Sequence, residues 1–172
     1  MTRKQKIYIG FILLIVAFIW FNSSMPVRES RAQSGIVAQI LNWTVSKLGG
    51  AGTLSVHLVR KMAHVVEYSL LGFVCTLYVV IFYTRIRWYH LWNTFSCVLT
   101  VAVIDESIQI LSGRGPLISD VLLDMCSAII ASLIVFAGNW FIGKGRKKRK
   151  RTAAKPDKAA SSASQGKKNP SQ

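Results

Sequence analysis

Lys61, His64 and Glu67 follow one another at three-residue spacing. Asp105, Glu106 and Gln109 form a second group, Arg114 comes shortly after, and Asp120 and Asp124 stand four apart. Three chemistries fit these residue types. His64 with several carboxylates offers ligands for a hard divalent cation, or for zinc if fewer of them bind. The same imidazole titrates near neutral pH by type, so His64, Glu67, Asp105, Glu106, Asp120 and Asp124 are equally candidates for acid–base work. Lys61, Gln109 and Arg114 suit an anionic headgroup, with arginine able to hold phosphate through two parallel hydrogen bonds. A plainer fourth reading is internal pairing, in which Lys61, Arg114 and protonated His64 neutralise part of the cluster and lock helices together. Five acids against two permanent cations leave negative charge over, more than a purely structural network would carry.

The segments that must position these residues are apolar. Five of the seven acidic residues lie in or beside runs hydrophobic enough to cross a membrane. A carboxylate at membrane depth costs about 2.5–3.5 kcal/mol on insertion scales, so its presence asks for a reason. Half the chain is hydrophobic, the mean hydropathy is +0.36 and 17% of residues are charged. Such a composition excludes disorder over most of the length and points to a membrane protein. Four spans are expected, at about 7–25, 62–83, 91–111 and 117–142, each near the ~20 residues a crossing needs. The first is preceded by a basic TRKQK run, as in a signal peptide. Its bulky aromatics, and the lack of a small-residue cleavage site after it, favour a retained anchor. Between the first two spans, Ile36, Val37, Ile40, Leu41, Val45 and Leu48 recur at helical spacing. They predict a short amphipathic helix in the outer interface with Trp43 at headgroup depth, ended by Gly49-Gly50-Ala51-Gly52. The expected fold class is therefore all-α: a polytopic membrane protein of four transmembrane helices plus that outer interfacial helix.

Charge sets the expected orientation. With the N-terminus inside, the inner pieces hold sixteen of the 22 Lys/Arg and the outer pieces six, which places both termini in the cytoplasm. Residues 1–143 form the membrane domain. Residues 144–172 form a basic tail carrying eleven Lys/Arg and one acid. That tail has nothing apolar to fold on, so it is expected to be disordered and to meet anionic lipids rather than nucleic acid. On this topology all the polar groups gather on the extracytoplasmic side. Cys75, Cys97 and Cys126 each sit in an apolar run without a Cys-x-x-Cys pair and read as small buried core residues. Trp20, Trp88, Trp92 and Trp140 lie near span ends, as an aromatic belt would. His57 and His90 flank helices and read as interfacial. The chain lacks a Gly-x-Ser-x-Gly elbow, a His-Glu-x-x-His helix, a Walker loop and a Gly-x-Gly-x-x-Gly turn.

The same residues carry a family resemblance. Lys61-Met-Ala-His64-Val-Val-Glu67-Tyr68-Ser-Leu-Leu-Gly72 is similar to the K-x-x-H-x-x-E-Y-x-x-L-G motif of VanZ-like membrane proteins. Asp105-Glu106-Ser-Ile-Gln109, then Arg114, then Asp120 and Asp124, resembles that family's later elements. Ser23-Ser24-Met-Pro26 fits the serine-rich segment after the first helix. The resemblance covers roughly residues 7–140 and leaves out the basic tail. It implies a small multi-pass protein of the bacterial plasma membrane, related to accessory factors in teicoplanin resistance, and supplies no reaction. The expected function is binding of, or action on, a cell-envelope lipid or a lipid-linked cell-wall component. The alternative is a non-enzymatic envelope protein whose network only supports packing. No cofactor is named by these residues beyond a divalent cation as one option, and no oligomeric state follows from them.

Overall fold

A computed structural model describes residues 1–50, 52–83, 86–113 and 118–165, with side chains described through 142 and at 144. Arg114 of the expected site lies outside the described residues. Five helices occur in the order α1 (Arg3–Ser24), α2 (Val27–Lys47), α3 (Val56–Phe82), α4 (Trp88–Leu111) and α5 (Ile118–Gln165), with no strand among the described residues. α1, α3, α4 and the part of α5 from Ile118 to Ile142 are long and apolar enough to span a membrane. The expected all-helical architecture is what the chain adopts.

Local chemistry sets the boundaries. Thr2 opens α1 with a capping box, its hydroxyl accepting from Gln5 N while Gln5 Oε1 accepts from Thr2 N; this answers two of the amide donors a helix start leaves open. Pro26, with φ fixed near the value a helix entry requires, starts α2 at once. α2 is accordingly longer than the apolar stripe from Ile36 suggested. Gly49 ends it in the left-handed region at φ 83, where a residue lacking Cβ is least strained. Ser55 caps α3, accepting from Leu58 N. This places Arg60 and Lys61 inside α3, which begins six residues before the span expected from residue 62.

The core lies between α1, α3, α4 and α5. Ile15, Val16 and Ile19 meet Tyr68, Leu71, Val74 and Cys75, with Val98, Val101 and Ala102 from α4 and Met125 and Ala128 from α5. α3 and α5 approach closely at Gly72, where an added Cβ would stand 2.5 Å from Ala128 O and 2.7 Å from Ala128 Cα. Around that contact Thr76 donates to Ser132 Oγ at 2.8 Å, and Ser69 donates to the Ser127 carbonyl at 3.4 Å. Small residues and interhelical hydroxyl bonds are how helices associate in hydrocarbon, where apolar side chains gain little from leaving lipid.

The long outward side chains are apolar, among them Phe11, Leu13, Phe18, Phe73, Leu122 and Ile130. α2 turns Ala38, Leu41, Asn42 and Val45 inward and leaves Ile36, Val37, Ile40 and Trp43 exposed. Two expectations need correction. Only Cys75 is buried; Cys97 and Cys126 are exposed on the bundle's outer surface, because residues on an apolar helix in lipid need not face its core. Trp20 is no belt residue, since its indole donates to the Val101 carbonyl and ties α1 to α4. Past residue 143 α5 continues to Gln165, a stretch whose Ala, Lys and Arg have strong helix propensity. The chain divides into two compact units, Met1–Val135 and Phe136–Gln172. Within the second, Lys144 Nζ stands 3.7 Å over the Trp140 ring.

Candidate functional site

Alternating helix directions bring the end of α1, the start of α3, the end of α4 and the start of α5 to one end of the bundle. The polar residues tie these ends together. Lys61 Nζ donates to Asp120 Oδ1 at 2.9 Å, joining α3 to α5. Asn22 Nδ2 donates to Glu67 Oε1 at 2.7 Å, joining α1 to α3. Ser112 Oγ donates to the Ser23 carbonyl at 3.2 Å, joining α4 to α1.

Deeper in, His64 Nδ1 lies 3.6 Å from Asp105 Oδ2, and that same oxygen accepts from Gln109 Nε2 at 3.1 Å. Asp105 is fully buried, Asp124 is 1% exposed, and Glu106 and Gln109 are buried with them. One ligand atom each from His64, Asp105 and Asp124 lies within 4.8 Å of the other two, a separation compatible with a shared metal ion. Asp124 is also within electrostatic range of Glu106, Asp120 and Glu67. Its two carboxylate oxygens are buried with no hydrogen-bond partner among the described residues. Tyr68, wholly buried beside this group, likewise keeps its hydroxyl unpartnered among them. Buried polar atoms are nearly always hydrogen-bonded, so a carboxylate with neither oxygen satisfied asks for a ligand.

Two cavities open toward this end. The smaller, about 100 Å³, is lined by Asn22, Ser23, Ser30, Arg60, His64 and Glu67 among others. A wider groove of about 420 Å³ runs between α2 and α3 past Arg31, His57 and Arg60. Arg60 borders both. Ser23 Oγ, in a residue 1% exposed, has no hydrogen-bond partner among the described residues.

The expected residues thus sort into sets. His64, Asp105 and Asp124 stand within reach of one ion; Glu67 and Asp120 are each held by a partner from another helix; Glu106 is buried near Asp124; Gln109 donates to Asp105. Sequence reasoning missed Asn22, Ser30 and the wall positions of Ser23 and Arg60. The one available signal was that Arg60 precedes Lys61 on the same helix.

The geometry can be set beside known proteins. A family profile described as VanZ/LLP1 matches residues 8–141. The chain belongs to the VanZ/LLP1 family. The match runs from α1 into the spanning part of α5 and so contains every polar residue described above. No curated protein and no solved structure matches the chain.

Proposed function

We propose that this VanZ-like membrane protein binds the anionic headgroup of a cell-envelope lipid, or of a lipid-linked cell-wall component, on the outer side of the membrane. The observation that carries the reading is Arg60, which stands where the α2–α3 groove meets the smaller polar cavity. A headgroup entering past Arg31 and His57 would meet the Arg60 guanidinium first, and then the buried Ser23 hydroxyl, His64 and Glu67. Guanidinium supplies paired donors matched to phosphate, and the Ser23 hydroxyl supplies one more. The outward orientation rests on the excess of Lys/Arg in the opposite loops and tail. The exposed apolar face of α2, with Trp43 on it, suits the adjoining interface.

The test offers the purified, detergent-solubilised chain a polyprenyl diphosphate or phosphatidylcholine and measures retention of each. Preference for the diphosphate, reduced at least tenfold in Arg60→Gln, is the expected result. Equal retention of the two lipids, or no effect of R60Q in a folded protein, would overturn it. A part in glycopeptide resistance is an extension of this reading, and unchanged teicoplanin susceptibility in a deletion strain removes it.

A second reading has its own support: the hydrogen bonds from Asn22 to Glu67 and Lys61 to Asp120 tie helices together. On that reading the network serves packing alone. Glu67→Gln and Asp124→Asn separate the two, since loss of lipid retention at normal membrane abundance favours the site. Abundance falling in step with retention favours the packing account. The unsatisfied oxygens of Asp124 argue for the first, because a carboxylate kept for packing would have hydrogen bonds.

A further inference from the structure

We propose that His64, Asp105 and Asp124 form a three-ligand site for a divalent transition-metal ion, zinc foremost, with its remaining coordination open toward the polar cavity. The site consists of one residue from each of three helices: His64 from α3, Asp105 from α4 and Asp124 from α5. Their ligand atoms lie within 4.8 Å of one another. Zinc bonds to imidazole nitrogen and carboxylate oxygen run ~2.0–2.2 Å, so two ligands of one ion lie about 3.3–4.4 Å apart depending on the angle between them. Closing the site therefore needs inward movement on the order of an ångström or less. Side-chain rotation supplies that without shifting a helix.

A cluster of acids alone would not support this. The second observation is Asp124. It is 1% exposed, and both its oxygens are buried without a hydrogen-bond partner among the described residues. Burying a carboxylate costs several kcal/mol unless a cation or hydrogen bonds replace the lost water. The nearby ammonium of Lys61 is already directed at Asp120 at 2.9 Å. A divalent ion bound through Asp124 supplies such a cation. Gln109 then acts as a positioning residue: its amide donates to Asp105 Oδ2, as outer partners of metal-bound carboxylates do.

The donor set selects the ion. One imidazole favours zinc and other transition metals over magnesium or calcium, which prefer oxygen throughout. Three protein ligands with a position left over is the pattern of catalytic zinc, where structural zinc is closed by four. His64 also lines the cavity, so an incoming oxygen ligand meets the ion from that side. That this ligand is the headgroup's phosphate rests on the lipid reading; the metal site does not.

The experiment uses the full chain in detergent, stripped with chelator and titrated with zinc against a competing dye, followed by metal analysis of the re-isolated protein. One zinc per chain is expected. His64→Asn and Asp124→Asn should each weaken binding by more than about 100-fold, exceeding the 10–100-fold typical of outer-shell changes, and Gln109→Ala should fall within that lower range. Glu29→Gln, at an exposed acid of α2 outside the site, should leave affinity unchanged. X-ray absorption on the zinc-loaded wild type gives a readout that needs no variant, with one nitrogen among oxygen neighbours expected. Failure to retain zinc, unchanged affinity in folded D124N, or an all-oxygen shell would each overturn the site. Zinc retained by a protein that ignores the diphosphate lipid would sink the lipid reading and leave the metal site standing.

Discussion

Lys61 and Asp120 meet at 2.9 Å across fifty-nine residues of chain, fastening the second turn of α3 to the first turn of α5. Both side chains keep part of their surface accessible, 32% and 20% respectively. The contact is thus a partly wet ion pair at the rim of the polar end, outside the fully buried group formed by Asp105 and Asp124. Such pairs contribute about 1 kcal/mol or less. Lys61→Met and Asp120→Asn should each lower thermal stability slightly. A double-mutant cycle should return a coupling near that figure. A coupling several times larger would mean the pair is far drier than its exposure indicates.

Gly72 should tolerate almost nothing. An added methyl would stand 2.5–2.7 Å from Ala128 backbone atoms, and backbone cannot step aside as a flexible side chain can. Gly72→Ala should cost about 1–3 kcal/mol by overpacking. Gly72→Leu should stop accumulation in the membrane. Gly10 is the control: a Cβ added there would meet nothing within 4 Å, so Gly10→Ala should be neutral or stabilise α1 by up to about 1 kcal/mol. Thermal melting followed by size-exclusion chromatography reads both.

Asn22 should matter through Glu67. Asn22→Ala removes the 2.7 Å donor to Glu67 Oε1 and should cost about 1–3 kcal/mol as an unsatisfied, partly buried acceptor remains. Glu67→Gln keeps an acceptor oxygen facing Asn22 and should melt within about 1 kcal/mol of the parent. A larger loss in E67Q than in N22A would show that Glu67 acts through its charge and not through this bond.

Asn42 clamps the connection between α2 and α3. Its amide accepts from Leu54 N at 2.7 Å and donates to Leu54 O at 3.2 Å, doing for one residue of loop what a strand partner would do. Asn42→Ala should speed proteolysis between residues 48 and 55 by about tenfold, equal to roughly 1.4 kcal/mol of local opening. Unchanged cleavage would show the loop to be held elsewhere.

The orientation is open to a direct test. A fluorescent reporter that folds only in the cytoplasm, fused after Gln172, should be bright. A cysteine placed at Gln39 of α2, in a background lacking the native cysteines, should react with an impermeant thiol reagent added to intact cells. The opposite pair of results would place the polar end inside.

Much of this was legible in the order of the residues. Runs such as 7–21 and 62–83 are too apolar for anything but a helix in lipid, since an unpaired backbone there is too costly. Spacing of three and four put Lys61, His64 and Glu67 on one face, and Asp120 with Asp124 on another. Alternating spans then required those faces to meet at one end. The assignment of each acid lay beyond reach. Asp120 and Asp124 share a helix face, yet one takes Lys61 and the other faces His64 and Asp105 with no hydrogen bond among the described residues, a difference set by one helical turn of depth. Asn22 and Ser30 give no sequence signal because uncharged polar residues are ordinary at helix ends, and Ser23 showed itself only as part of a serine-rich segment. They became visible only when α1 and α2 folded against α3. The sequence by itself determined that acids would gather at the bundle's end, because hydrophobicity and helical period are local. Only tertiary packing decided which carboxylate finds a partner among the described residues and which does not, because hydrogen-bond distances depend on how neighbouring helices dock.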